Sequence, residues 1–249
     1  MNQASKIVMS VIMSFCFIGI VNADVTYNDL EKSVCKVIVL PDKYTKDIGS
    51  GMIIYEDNDK YYILTNAHVT EGNKWCYLRF FQNGYESVDI LGMVESRKLS
   101  KNGVDVSIVS CSKKYFKSWE RKAIPLASID YVLKERDKIY AMGCPQGFGP
   151  QFWKGRFIQY ANEYAFDYNV VPVSGQSGSG IVAEINGKIK VVGIVTWAKR
   201  RDNVRRGGAV SLKGIADGLS PQPNIRRQNW IPIKHKVPLL GKEYIPVKY

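Results

Sequence analysis

Between Ser33 and Ser211 the chain is cut by turn residues into short apolar and β-branched runs, and apolar residues almost nowhere recur at helical spacing. The runs are Ser33 to Leu40, Gly51 to Tyr55, Tyr61 to Thr65, Trp75 to Phe81, Val104 to Ser110, Lys138 to Met142, Phe152 to Gln159, Gly180 to Glu184, Lys190 to Trp197 and Gly208 to Ser211. Glu56-Asp57-Asn58-Asp59 punctuates two of them, and Asn186-Gly187 specifies a tight hairpin between two others. Many short strands with regular turns fold as a sandwich or barrel. One short helix is expected, over Leu212 to Leu219. The 249 residues suffice for one large all-β domain or two small ones.

The two ends have a different character. Lys6 precedes a short apolar run, Ile7 to Val21, and Val21-Asn22-Ala23 places small or modest residues where a signal peptidase reads. Residues 1–23 are therefore expected to be a secretory signal peptide cleaved before Asp24. The run falls short of the roughly 20 residues of a membrane span, so export to the periplasm or medium, with no stable membrane insertion after cleavage, is the expectation. Cleavage removes Cys16 and leaves Cys35, Cys76, Cys111 and Cys144. An exported chain with four cysteines is compatible with two disulfides, and equally with four buried thiols. A polar stretch from about 112 to 123 reads as a linker between a first half, about 30–111, and a second, about 124–220. Pro221, Pro223, Pro232, Pro238 and Pro246 then mark an extended basic tail over 221–249. The net charge of +12 is spread along the chain without a nucleic-acid motif, so nucleic acid is not an expected partner.

Histidine limits the chemistry. The chain has two, His68 and His235, and no His-Glu-x-x-His helix or close cysteine pair, so no metal and no cofactor is expected. His68 follows a strongly β stretch in Leu64-Thr65-Asn66-Ala67-His68-Val69. Gly175-Gln176-Ser177-Gly178-Ser179-Gly180 places a serine among glycines, which let the backbone turn tightly and leave N–H groups free for an oxyanion. The donors would be the amides of Gly175 and Ser177. Asp105 sits in an otherwise apolar strand, Gly103 to Val109, where a buried carboxylate needs a hydrogen-bonding partner such as a histidine N–H.

The order His68, Asp105, Ser177 resembles that of the trypsin-like peptidase family, in the compact bacterial and viral style that includes HtrA-like protease domains. Several motifs carry the resemblance. Gly49-Ser50-Gly51-Met52-Ile53-Ile54 resembles the segment before the family's histidine, and Thr65-Asn66-Ala67-His68-Val69 its histidine motif. Asp105-Val106-Ser107-Ile108-Val109 resembles the aspartate strand. Met142-Gly143-Cys144-Pro145-Gln146-Gly147 resembles the turn opening the second barrel's first hairpin. Gly193-Ile194-Val195-Thr196-Trp197 resembles the strand lining the specificity pocket. The match runs from about Ser33 to Leu219.

The resemblance implies an all-β, chymotrypsin-like fold of two six-stranded antiparallel Greek-key barrels with a short C-terminal helix. It implies a serine endopeptidase acting on protein or peptide substrates, with Ser177 as nucleophile, His68 as general base and Asp105 orienting the histidine. Val171, Thr196, Trp197 and Ala198 would border the substrate. Digestive relatives place an aspartate before the serine to bind a new N-terminus, and this chain has Gln176, so activity should not require that ion pair. Val171 and Val195 stand where relatives selective for basic or for glutamate residues carry charged or histidine side chains, and Ala198 replaces a common glycine. Small or medium apolar residues are therefore expected before the scissile bond. Lys199, Arg200, Arg201, Arg205 and Arg206 form a basic run beyond the pocket strand, in a solvated hairpin or a site for acidic segments. Two alternatives are a non-catalytic basic binding protein on the same fold, whose sign would be a lost triad residue, and an esterase, whose usual scaffold has the order Ser, Asp, His.

Overall fold

The structure is a computed structural model and describes residues 24–40, 46–100, 102–116, 118–201 and 204–219. The expected signal peptide and basic tail lie outside these residues. Among the described residues, thirteen strands and two short α-helices follow in order: α1 (Tyr27–Glu31), β1 (Val34–Val39), β2 (Asp47–Glu56), β3 (Lys60–Thr65), β4 (Trp75–Gln82), β5 (Tyr85–Glu86), β6 (Ile90–Leu99), β7 (Asp105–Ser112), β8 (Lys138–Gly143), β9 (Gln151–Asn162), β10 (Ala165–Tyr168), β11 (Gly180–Ile185), β12 (Lys188–Arg201), β13 (Val204–Ser211) and α2 (Leu212–Leu219).

Strands β1-β2-β3-β7-β6-β4 form a sheet that closes through β1 pairing with β4, and β5 adds a two-residue edge beside β4. Strands β10-β13-β12-β11-β8-β9 form a second closed barrel. Closure leaves few free edges in either sheet. The fold is chymotrypsin-like, as the sequence implied. Asn186-Gly187 turns between β11 and β12 with both residues at positive φ, as a tight hairpin requires.

Three apolar cores hold the molecule. One fills the first barrel with Val37, Ile53, Ile63, Leu78 and Phe80. One fills the second with Ile139, Phe157, Phe166, Tyr168 and Ile181. The third lies between them and draws on both, with Met52, Leu64, Val106, Met142, Val182 and Val210. Burying each such side chain contributes about 1.5–3 kcal/mol, so the seam between the barrels is itself a core. Val25 and Leu30 from the N-terminal segment and Ile215 from α2 pack into that seam. Strand β7 shows how one sequence serves two cores: Val106 and Ile108 face the seam while Val109 and Cys111 face the first barrel.

The stretch after β7 is packed. Phe116 is buried in the first barrel, edge-on to Phe80 and Tyr61. Arg121 is buried against Phe80 and Trp119, and donates to Phe81 O and Gln82 Oε1. All four described cysteines are free and buried. Of the two alternatives left open by the sequence, the structure therefore has four thiols. Burial pushes those of Cys76, Cys111 and Cys144 up to about 12.

Candidate active site

The strand register brings His68 and Asp105 together. β3 and β7 run antiparallel with Thr65 opposite Ser107, so the residues just past the end of β3 meet the start of β7. His68 opens a single 3-10 turn there, and Asp105 is the first residue of β7. His68 Nδ1 lies 2.6 Å from Asp105 Oδ2, and the His68 backbone N–H donates to Asp105 Oδ1 at 3.0 Å. Both carboxylate oxygens are thus engaged by one residue. Asp105 is 5% exposed, and a carboxylate so buried is stable only with such partners. The imidazole itself is exposed toward a cleft of about 730 Å³ that also takes in Ser177 and Gly175.

Ser177 lies in the loop between β10 and β11. Gly175 and Gly178 on either side adopt positive φ of 87° and 90°, a region costly for other residues. Neither position has room for a side chain. A Cβ on Gly175 would lie 2.8 Å from the Gln146 nitrogen, and one on Gly178 would overlap Ser50 O and Thr65 Oγ1. The loop is latched to β12, with Gly178 N donating to Val195 O and Val195 N to Ser179 O, both at 2.9 Å. The amides of Gly175 and Ser177 donate to no described residue, whereas those of Gln176, Gly178 and Ser179 are engaged. Gln176 is buried, and its Oε1 accepts from Val173 N at 3.0 Å, so it braces its own loop.

Two residues not singled out by the sequence reading complete the frame. Ser50 on β2 donates through its amide to Ser177 O and through Oγ to Gly175 O, each at 2.7 Å, and Oγ accepts from Cys144 N at 2.8 Å. Thr65 Oγ1 fixes Ser50 in turn, donating to its carbonyl at 2.7 Å. One serine of the first barrel thus holds the Ser177 loop of the second. Asn66, wholly buried, donates to Asp105 O at 2.8 Å and to Thr196 Oγ1 at 3.1 Å, joining the aspartate strand to β12. Each lies in a motif quoted above, but its partners are on the other barrel or strand, far away in the sequence.

The other expected residues fall beside the loop. Thr196, Trp197 and Ala198 follow one another on β12, and the Thr196 carbonyl accepts from Ser177 Oγ at 3.4 Å. Trp197 packs against the seam, its ring tip beside Gly103. Val171 is half-buried. None of these four lines the 730 Å³ cleft, whose walls beyond His68 include Ile48, Val69, Glu71, Gln146 and Gly147. Lys199, Arg200 and Arg201 extend β12 opposite Arg206, Arg205 and Val204 of β13.

A family model described as "Trypsin-like peptidase domain" matches residues 49–194, more than half of the chain. No curated protein sequence matches it. Among solved structures, the active form of the Rv3671c protease from M. tuberculosis is similar at a TM-score of 0.57 and 19% identity, covering 77% of this chain and 81% of that one. Its inactive form gives 0.56 and 19%, over 77% and 89%. The serine endoprotease from Yersinia pestis gives 0.55 and 20%, over 76% of this chain and 63% of that one. At these identities the structural likeness bears on the fold.

Proposed function

Because the chain belongs to the trypsin-like peptidase family, we propose that it is a serine endopeptidase in which Ser177, His68 and Asp105 act as the catalytic triad. The observation that carries this reading is one cleft holding Ser177, the Asp105-bound His68 and the Gly175 amide side by side. Ser177 Oγ attacks the scissile carbonyl while His68 Nε2 takes its proton. This requires the serine to leave its hydrogen bond to Thr196 O and turn toward the histidine. Asp105 holds the Nδ1–H tautomer and stabilises the imidazolium. The carbonyl oxygen, negative in the tetrahedral intermediate, is received by the Gly175 and Ser177 amides, and removing one such donor typically costs about 10²–10³ in rate. His68 then protonates the leaving amine, which departs into the cleft past Val69 and Glu71. Water then takes the amine's place: His68 removes its proton as it attacks the acyl carbonyl, the bond to Ser177 Oγ breaks, and His68 returns the proton to Ser177 as the carboxylic acid leaves.

The Gln176 brace supports activity without an inserted N-terminus, because the position before the serine already has an internal partner. Export rests on the character of residues 1–23, and N-terminal sequencing of protein recovered outside the cytoplasm, expected to begin at Asp24, tests it.

The catalytic reading is tested with a fluorophosphonate probe on the protein lacking residues 1–23, read by mass spectrometry. Labelling at Ser177, absent in Ser177→Ala, is expected. A folded sample that stays unlabelled and cleaves no peptide would favour the non-catalytic binding protein.

A further inference from the structure

The cleft beside His68, which takes the leaving half of a substrate, has a charge that runs against that of the chain. The chain carries +12, yet the charged side chains lining this cleft besides His68 are Asp47, Glu71 and a single cation, Lys46. Lys46 and Asp47 are sequence neighbours at the start of β2, so at a distance their charges largely offset each other. Glu71 stands on the opposite side of His68 in the chain and has no such neighbour. Among the described residues, no hydrogen bond or ion pair engages its carboxylate, and the one side-chain contact it receives goes to its backbone.

That backbone is held. The Glu71 N–H donates to His68 O at 3.5 Å, and its carbonyl accepts from Asn73 Nδ2 at 2.7 Å. Just before it, the Thr70 carbonyl accepts from Arg97 Nη1, and Thr70 Oγ1 donates to Ser107 Oγ on β7 at 3.0 Å. The turn that carries His68 thus fixes the root of Glu71 three residues on, while its side chain stays exposed. A carboxylate rooted in this way at a cleft, with its tip unengaged, focuses a negative potential on whatever enters.

Between Ser177 and Glu71 the cleft is apolar. A Cβ on Gly49 would lie 2.6 Å and 2.7 Å from the two Val69 methyls and 3.0 Å from Ser177 O. Val69 and the Ser177 loop therefore meet over this glycine. On the facing wall, a Cβ on Gly147 would lie 2.6 Å from Ile48 Cδ1. The cleft of about 730 Å³ lies within the roughly 300–1,000 Å³ of ligand sites, so it holds more than one side chain. An extended peptide advances about 3.3–3.6 Å per residue, and its first two residues past the cleaved bond cross Ile48 and Val69 toward Glu71.

We propose that Glu71 is a specificity-determining residue for the leaving half of the substrate, and that it selects lysine or arginine among the first two residues after the scissile bond. The carboxylate meets the incoming cation in water, so the gain is modest, about two- to fivefold for an exposed ion pair. The same charge disfavours an acidic residue there. The inference deepens the peptidase reading proposed above and rests on it.

The test uses two sets of peptides with one shared acyl half, taken from the best-cleaved member of a peptide library. Within a set, only the first or only the second residue after the cleaved bond changes, among Lys, Arg, Gln and Glu. The wild-type protein, Glu71→Gln and Glu71→Lys are assayed at low salt. Each is also labelled with the fluorophosphonate, which carries no peptide leaving group and so reports Ser177 and His68 apart from the rest of the cleft. For the wild type, kcat/KM in at least one set is expected to be about two- to fivefold higher for Lys and Arg than for Gln, and lower for Glu than for Gln. In Glu71→Gln the four peptides of that set should be cleaved alike, and in Glu71→Lys their order should reverse. Labelling at Ser177 without this order in either set overturns the inference and leaves the catalytic reading standing. So does an order that survives in Glu71→Gln, or a protein that labels at Ser177 but cleaves no member of either set. A protein that neither labels nor cleaves overturns both.

Discussion

The first barrel and the second treat their buried polar groups in different ways. In the first, Lys36, only 3% exposed, is paired with Glu86 on the short strand β5. Thr70 Oγ1 donates to Ser107 Oγ, which donates to Ser96 O, and Asp105 is closed on both oxygens by His68. In the second, the hydroxyls of Tyr168 and Ser179 and the Trp153 N–H have no partner among the described residues, and the Gly175 and Ser177 amides donate to none; on the first barrel's side Asn66 Oδ1 and Arg121 Nε also lack one, but both residues are held through their other nitrogens. Leaving such a group buried and unpaired costs about 1–3 kcal/mol. The first barrel spends its polar groups on positions within the fold, and the second keeps two amides beside Ser177 without an acceptor among the described residues.

The largest test of this contrast is a substitution in the first barrel that changes activity without changing packing. Asp105→Asn should lower kcat by about 10⁴ by allowing the wrong histidine tautomer, with thermal stability little altered, read from peptide hydrolysis and a melting curve together. Ser50→Ala should cost less, about 10–10² in kcat, since it frees the Gly175 carbonyl and the Cys144 amide and loosens the loop rather than removing a reacting group. Recovery in Ser50→Thr, which keeps the hydroxyl, would separate the hydrogen bonds from general disruption. If Ser50→Ala were as active as wild type, the first barrel would not position the second barrel's loop.

Alkaline titration probes both interiors with a smaller effect. Burial raises the thiols of Cys76, Cys111 and Cys144 to about 12, against about 8.5 in an unfolded chain. The folded state therefore keeps protons that the unfolded state releases. The stabilisation is complete below about pH 8.5 and is lost as pH rises toward the folded values. The melting temperature should fall progressively above pH 8.5, and an alkylating reagent at pH 8 should modify Cys35, Cys76, Cys111 and Cys144 only after unfolding. Rapid alkylation of the folded protein would contradict the buried thiols. The smallest expected effect concerns the hairpin bearing Lys199 to Arg201 and Arg205 to Arg206. If it draws acidic segments to the second barrel, kcat/KM for an acidic peptide should fall a few-fold from low to moderate salt, as screened attraction does. It should become insensitive to salt in Arg205→Gln with Arg206→Gln.

The ten strands expected from the sequence are all present, because each alternates or runs apolar long enough to show its period. Strands β5, β6 and β10 were not legible. β5 is two residues long. In β6 a register shift between Val94 and Ser96 breaks the alternation, and Glu95-Ser96-Arg97-Lys98 reads as a polar loop. In β10 Asp167 interrupts Ala165-Phe166-Tyr168, and the register shifts twice against β9. Helix α1 is a single turn whose capping box, Thr26 with Asp29, is easily passed over in so short a segment. At the site, His68, Asp105 and Ser177 stood out because each residue is chemically out of place in its run. Ser50 and Asn66 did not, because their partners lie 125 and 130 positions away in the chain, at Gly175 and Thr196.

The two ends of the described chain have exchanged sides. Asp24, which precedes the first barrel, rests its carboxylate on Lys138, Tyr140 and Lys154 of the second. α2, which follows the second barrel, lies on the first, with Gly218 against Val106 and Lys98 Nζ 2.9 Å from Asp217 Oδ2. The halves are cross-strapped, so the covalent connection over 113–123 is not what keeps them together. A single nick there should leave an active, co-migrating pair of fragments. The same halves expressed separately should complement each other only if each carries its own strap.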